Sequence, residues 1–345
     1  LTYNIRPSEQ STPIEQLSSD NYSLESEIDD TFAEWDEWET IEAIKNALEI
    51  NSDVILIEAN LEAFSKLKSE KPDIVFNIAE GFNGVSRESQ IPAILDLINI
   101  PYTGSDALTL AICLNKARTK EILSYHKIST PSFTVIDSKE KLKSLDLNLP
   151  IIFKPIAEGS SKGIFNNSLI FNYDQVNGLL NERMEKYMQP FIVEEYLPGR
   201  EFTVSIIGNG KEIEILPIVE MNFNCLPTNI HHIYSYETKW ILDSPEHQLD
   251  LYKCPANLDS NLEKHIHNIA MNTYKILDCK DWCRIDIRLD ANNSPNIIEV
   301  NPLPGILPDP KNNSCFPKAA RTAGYRYDQM INKVLESALK RYEMI

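Results

Sequence analysis

The alternation of helical and strand-like hydrophobic patterns between residues 41 and 78 constrains this chain more than any other feature. Ile41, Ile44, Ala47 and Leu48 recur at the spacing of one helix face. Asp53 to Glu58 (DVILIE) follows as a short, nearly continuous apolar strand, the pattern of a strand covered on both faces of a parallel sheet. Leu61, Phe64 and Leu67 predict a second short helix, and Asp73 to Ile78 (DIVFNI) a second strand. This βαβα rhythm predicts an open α/β domain, with Gly81 to Ser89 as a loop at a strand C-terminal end, where such folds place ligands. A few residues of a first strand are expected to precede Leu1.

Further along, Ala111 to Tyr125 predicts a helix, Phe133 to Ile136 a strand, and Ile151 to Lys154 a strand closed by Pro155. The order then turns β-rich, with Phe191 to Tyr196, Glu201 to Ile207, Glu212 to Val219, Arg284 to Leu289 and Asn296 to Val300. Helices from about Leu262 to Leu277 and about Tyr327 to Arg341 frame the last of these. Residues 20 to 40 hold Asp20, Glu25, Glu27, Asp29, Asp30, Glu34, Asp36, Glu37 and Glu39 with no lysine or arginine. Such a like-charge block predicts a solvated, partly mobile loop.

Charge narrows the partners. The chain carries 33 lysines and arginines against 51 aspartates and glutamates, a net charge of -18, which repels nucleic-acid phosphates and anionic lipid headgroups. No apolar run approaches the roughly 18 residues of a membrane span, and Leu1 to Gln10 lacks a signal-peptide layout. The six cysteines form no CxxC pair, so free thiols in a reducing cytoplasm are expected and structural zinc is not.

Three groups of residues could carry chemistry. Lys154 leaves a strand ahead of a loop with Glu158, Gly159, Ser160, Ser161 and Gly163, offering a cation, hydroxyls and open backbone amides to phosphate oxygens. By itself such a loop is equally an ordinary turn, and it is not a Walker A motif. Asp286, Glu299 and Asn301 end two strands and offer oxygen ligands for magnesium shared with a nucleotide. Arg284, two residues before Asp286, projects to the same face. Glu194 ends one strand and Glu201 begins the next, so both could face one nucleoside; alone, the segment is an ordinary hairpin.

In order, DIVFNIAEG, SRESQIPAILDLINIPYTGS, NKARTK, IIFKPIAEGSSKG, VEEYLPGREFTV, YSYETKW, CRIDIRL, IIEVNPLPG and SCFPKAARTAGY resemble the ATP-grasp superfamily and, within it, the D-alanine:D-alanine ligase family. The resemblance runs from about Asp73 to the C-terminus. It implies an N-terminal α/β domain over residues 1–105 followed by two α+β ATP-grasp subdomains, 106–193 and 194–345, that clamp ATP. It also implies a reaction in which a carboxylate attacks the γ-phosphate and an amine then displaces phosphate. By motif, Lys116 and Lys154 would contact phosphates beside the loop Glu158 to Ser161. Glu194 would take the adenine, with Glu195, Tyr196 and Leu197 beside it, and Glu201 the ribose. Asp286, Glu299 and Asn301 would hold two magnesium or manganese ions. Lys239 would close over the site with Ser160, while Arg284 and the Gly305 backbone steady the tetrahedral intermediate. Ser314 and Cys315 would receive the second amino acid's carboxylate. A homodimer is the family's habit.

The amino-acid end departs from the pattern. Thr2 to Gln10 has neither paired glycines nor the acid that binds the first substrate's ammonium. Glu80 stands where the family commonly has histidine, Trp240 where it has tyrosine, and Leu307 to Asn312 lengthen the turn before Ser314. Glu80 is therefore the expected partner of that ammonium, and Trp240 removes a hydroxyl from the lid network. The resulting expectation is an ATP-dependent carboxylate-amine ligase for amino-acid-like substrates, of which D-alanine need be neither. Authentic D-alanine:D-alanine ligation and a non-catalytic ATP-binding protein are the alternatives.

Overall fold

The structure is a computed structural model that describes residues 1–7, 29–142, 145–243 and 248–345. The expected loop residues Asp20, Glu25 and Glu27 lie outside the described residues, as do Ser8 to Gln10.

The N-terminal domain is parallel, as its pattern requires. Thr2–Tyr3 pairs with Ile57–Glu58, and single parallel bridges add Asn77 beside Thr2 and Tyr102 beside Val75. Pairing is thus shorter than the predicted strands. The helix Trp38–Leu48 buries Ile41, Ile44, Ala47 and Leu48 against a core shared with Met330, Ile331 and Val334 of the helix Tyr327–Arg341. Full burial of each isoleucine contributes about 1.5–3 kcal/mol, which fixes this helix pair across the whole length of the chain.

Two antiparallel sheets follow. The smaller has the order Phe133–Ile136, Phe191–Glu195, Ile151–Pro155, Leu169–Ile170. The larger has the order Tyr252–Lys253, Val219–Met221, Glu201–Ile207, Trp282–Leu289, Pro295–Asn301, with Glu214–Ile215 on Glu201–Ile207. The predicted strand Glu212 to Val219 is thus two short pieces. The smaller sheet holds residues up to Glu195, two beyond the expected subdomain limit.

The single helix predicted over Ala111 to Tyr125 is two, Ala107–Leu114 and Lys116–Tyr125. Asn115 adopts an extended backbone and its side chain accepts from Arg118 N, capping the second helix. Competition of a short amide side chain for backbone hydrogen bonds explains the break, and it sets Lys116 at a helix start. Cys113 and Leu123 from these helices pack into the core of the larger sheet, and Leu114 and Ala117 pack with Ile192 of the smaller one, so the helices contact both sheets.

All six cysteines are free. Among the described residues no helix is long and apolar enough to cross a membrane.

Candidate active site

Strand alternation and register build the first wall. Arg284 and Asp286 share one face of Trp282–Leu289, and in the antiparallel register Arg284 lies opposite Asn301 and Asp286 opposite Glu299. A bulge after Asp286 puts one extra residue into the partner strand, which re-aims side chains next to the site. Arg284 donates from Nε and Nη2 to Asp286 at 3.0 and 2.9 Å, and Asn301 Nδ2 donates to Asp286 Oδ2 at 3.0 Å. Lys116 Nζ lies 2.7 Å from Glu299 Oε1. Burial would raise the Glu299 carboxyl, but Lys116 outweighs it and holds the group down at about 2. The acid is therefore ionised at neutral pH.

The smaller sheet supplies the opposite wall. Lys154 Nζ donates to Glu194 Oε2 at 2.8 Å, and Lys120 lies 3.4 Å from the other carboxylate oxygen. Burial of Glu194 is outweighed by these two cations, so its carboxyl sits below its usual range. Glu201 accepts from Arg288 Nη1 at 2.7 Å, and the Arg288 guanidinium stands 4.5 Å from the Tyr196 ring centre. Arg288 continues the alternation of Arg284 and Asp286; that period alone could have found it.

Other expected site residues are spread differently. Lys154, Ser160, Ser161, Glu194, Tyr196, Leu197, Glu201, Lys239, Trp240, Arg284, Asp286, Glu299, Asn301, Gly305, Ser314 and Cys315 line one cavity of about 710 Å³. Glu158, Gly159, Glu195 and Glu80 line it too, but Glu195 accepts from the Asn148 amides. Glu158 is held by Arg87, Lys162 and Gln189, so its carboxylate anchors the loop rather than facing a phosphate. Lys116 is buried beside the lining, between Glu299 and the Glu158 carbonyl.

The glycine-rich loop is strained. Ser160 and Ser161 both have positive φ, 51° and 61°, a cost that persists where surrounding contacts over-determine it. Those contacts come from the segment expected to be a solvated acidic loop. Glu34 is 5% exposed and takes a two-pronged contact from Arg87 while accepting from Gly159 N. Asp30 accepts from Gly163 N at 3.0 Å and from the Tyr187 hydroxyl at 2.5 Å. A Cβ on Gly159 would stand 2.8 Å from Glu34 Oε1, and Arg87 leaves that carboxylate no room to yield. The described part of the acidic block is thus a wall of the site. Glu34, Arg87 and Asp30 were missed because like-charge patterning carries no information about distant cations. The only signal was that an acidic block without lysine or arginine must find its counter-charges elsewhere.

The lid segment is not an open loop. Glu237–Leu242 forms one widened π-helical turn, an irregularity frequent at functional sites. Trp240 Nε1 donates to Ser160 O at 3.1 Å, so the indole restores a link to the loop with N–H in place of the lost hydroxyl. Arg6 stands 5.2 Å and Lys239 4.9 Å from its ring centre. Burial, with Arg284 adding repulsion, lowers the Lys239 ammonium to about 8.

Two antiparallel sheets facing one another across a charged cavity, behind a parallel N-terminal domain, define an ATP-grasp enzyme. A family model described as "D-ala D-ala ligase C-terminus" matches residues 121–336. An uncharacterized protein, y4sG, of Sinorhizobium fredii is 32% identical over 271 residues, 78% of this chain and 75% of its own. A D-alanine-D-alanine ligase of Pelotomaculum thermopropionicum is 30% identical over 312 residues, 87% of this chain and 91% of its own. The solved D-alanine-D-alanine ligase of Bacillus anthracis superposes with a TM-score of 0.68 at 25% identity, covering 89% of this chain and 93% of that one. This chain belongs to the D-alanine:D-alanine ligase family.

Proposed function

We propose that this protein joins two amino-acid-like substrates by an amide bond, activating the first as an acyl phosphate with ATP and releasing ADP and phosphate. The observation that carries the reading is the convergence of the Arg284, Asp286, Glu299 and Asn301 wall and the Lys154 and Glu194 wall on one cavity. Two buried polar atoms support a nucleotide there: among the described residues Arg288 Nε donates no hydrogen bond, and Glu194 Oε1 has only the Lys120 ammonium at 3.4 Å. Glu194 and Glu201 would hold the nucleoside, and Lys154 with the Ser160–Ser161 loop the phosphates.

Asp286, Glu299 and Asn301 form a hard oxygen donor set that fits magnesium or manganese. Two divalent ions bound there would neutralise phosphate charge during transfer. Arg284 adds positive charge where an oxyanion develops. Ser314 donates from Oγ to the Gly305 carbonyl at 3.1 Å, which joins the acceptor end to the turn that carries Gly305. With Arg284 nearby, the amine substrate at that end is expected to carry a carboxylate.

Release of ADP, assayed over pairs of L- and D-amino acids with magnesium, tests the reading. Turnover that depends on two amino acids supports it, and ATP hydrolysis indifferent to them overturns it. Joining two D-alanines is the second reading, favoured by the activity named for the 30%-identical relative; the same panel separates the two.

Lys239 gives the reaction a pH limb. A lysine with a lowered pKa loses its charge as pH rises through about 8, and with it the attraction for phosphate. We expect kcat/KM for ATP to fall above about pH 8, since that ratio reports the free enzyme. Lys239→Arg, whose guanidinium stays charged, should move the limb upward by at least one pH unit. An unmoved limb in the variant assigns it to another group.

A further inference from the structure

The end of the cavity built by the N-terminal domain holds more acids than its own cations contact. Glu34, Asp36, Glu37, Glu80, Glu88 and Glu158 all line it. The neighbouring cations are committed. Arg87 holds Glu34 and Glu158, and Lys162 holds Glu158. Arg6 lies 3.5 Å from Glu37 and is the cation acting on Asp36. Lys116, which acts on Glu88 from farther away, is ion-paired with Glu299.

Glu80 and Glu88 are left over. Like Asp36, neither has an ion pair or a side-chain hydrogen bond among the described residues, with Arg87 acting on both only from a distance, and Glu88 is only 9% exposed while lining the cavity. Burial and the neighbouring Glu34 push the Glu88 carboxyl up to about 8, and burial with Glu88, Glu34 and Asp36 pushes Glu80 well above the usual range. Buried acids of this kind are paired or they hold protons. An organic cation is a ligand that fits two such acids.

We propose that the amino acid activated at this end is dicationic, bearing an amine, amidine or guanidine on its side chain in addition to its α-ammonium. Glu80 and Glu88 each then receive one positive charge, whereas an amino acid with a neutral side chain would leave one acid holding its proton. The donor class is therefore the basic and diamino acids. This inference rests on the ligase reading above and adds the substrate class to it. A donor of this kind keeps its free amines in the product and occupies the amino-terminal position.

The test measures ADP release with a saturating acceptor and a donor panel of alanine, serine, 2,3-diaminopropionate, ornithine, lysine and arginine in both configurations. Mass spectrometry of the product identifies the amino-terminal residue. We expect kcat/KM for the best basic donor to exceed that for alanine by at least about tenfold. Of Glu88→Gln and the less buried Glu80→Gln, the change at the acid that takes the side-chain cation should cost basic donors about tenfold or more beyond its cost to alanine, and the change at the acid that takes the α-ammonium should lower both donor types, as loss of one charge-assisted contact predicts. Neutral donors equal to basic ones, or equal losses for both donor types in both variants, would overturn the proposal while leaving the ligase intact. Absence of ADP release with every pair would sink the ligase reading instead. Calorimetric binding of lysine against alanine to the wild type, Glu80→Gln and Glu88→Gln, with a non-hydrolysable ATP analogue present, then decides the cation preference by itself: preference lost in one variant supports it, and preference absent from the wild type or kept in both variants refutes it.

Discussion

Glu299→Gln is expected to lower amino-acid-dependent ATP turnover by at least about a hundredfold, the effect of losing one key electrostatic group from a phosphoryl-transfer site. Glu299 lies directly across the register from Asp286, and its carboxyl is held at about 2 by Lys116. Glutamine keeps the shape and the hydrogen-bonding reach but removes the anion. Two consequences follow from that one change: divalent ions lose an ionised ligand, and Lys116 loses its partner at 2.7 Å. The second effect is readable apart from the first, since a freed Lys116 would alter the ATP Kd even without divalent ions. A variant that turns over at near-normal rates would remove Glu299 from the reaction. Restoration by raised magnesium or manganese would place the loss in metal affinity.

Glu34→Ala should be the most destabilising single change among the residues discussed. Glu34 is a buried carboxylate that takes a bidentate contact from Arg87 and a backbone N–H from Gly159. Its carboxyl sits below the usual range because burial, which opposes ionisation, is outweighed by Arg87. Removing one partner of a buried ion pair costs about 3–5 kcal/mol, since the other charge is left uncompensated. Here Arg87 would retain Glu158 at 3.0 Å, which puts the expectation at the lower end. The measurement is the thermal unfolding midpoint, with Arg87→Ala and the double variant completing the cycle. Since the folded carboxyl is depressed, its contribution is present above the ordinary glutamate pKa and is lost as pH falls through the lower, folded value. The difference between wild type and variant should therefore shrink in acid. A difference that is small at neutral pH, or that grows in acid, would mean that the pair does not hold the loop.

Both expectations concern sites that were unequally legible beforehand. The Arg284, Asp286, Glu299 and Asn301 group could be assembled from alternation along one strand and a turn to the next, because side chains two apart share a face. Helices such as Tyr327–Arg341 matched their hydrophobic period to the residue. The break at Asn115 was hidden, since its capping bond to Arg118 N competes locally with helix propagation, and only the realised backbone shows which wins.

The acidic segment shows where reading along the chain stops. Its local pattern has no apolar period, and a run of carboxylates without cations is described equally well by solvation and by burial against cations contributed from afar. Periodicity within segments and motifs a few residues long sufficed for the α/β order, for grouping the candidate site residues and for the family resemblance. Contacts between distant segments alone reveal that Glu34 and Asp30 grip the Ser160–Ser161 loop, that Trp240 supplies an indole N–H to it, and that Glu80 and Glu88 line the cavity with no ion pair among the described residues. The physical reason is that a charge acquires its meaning from whatever lies within a few ångströms, and the partner of Glu34 is 53 residues away along the chain.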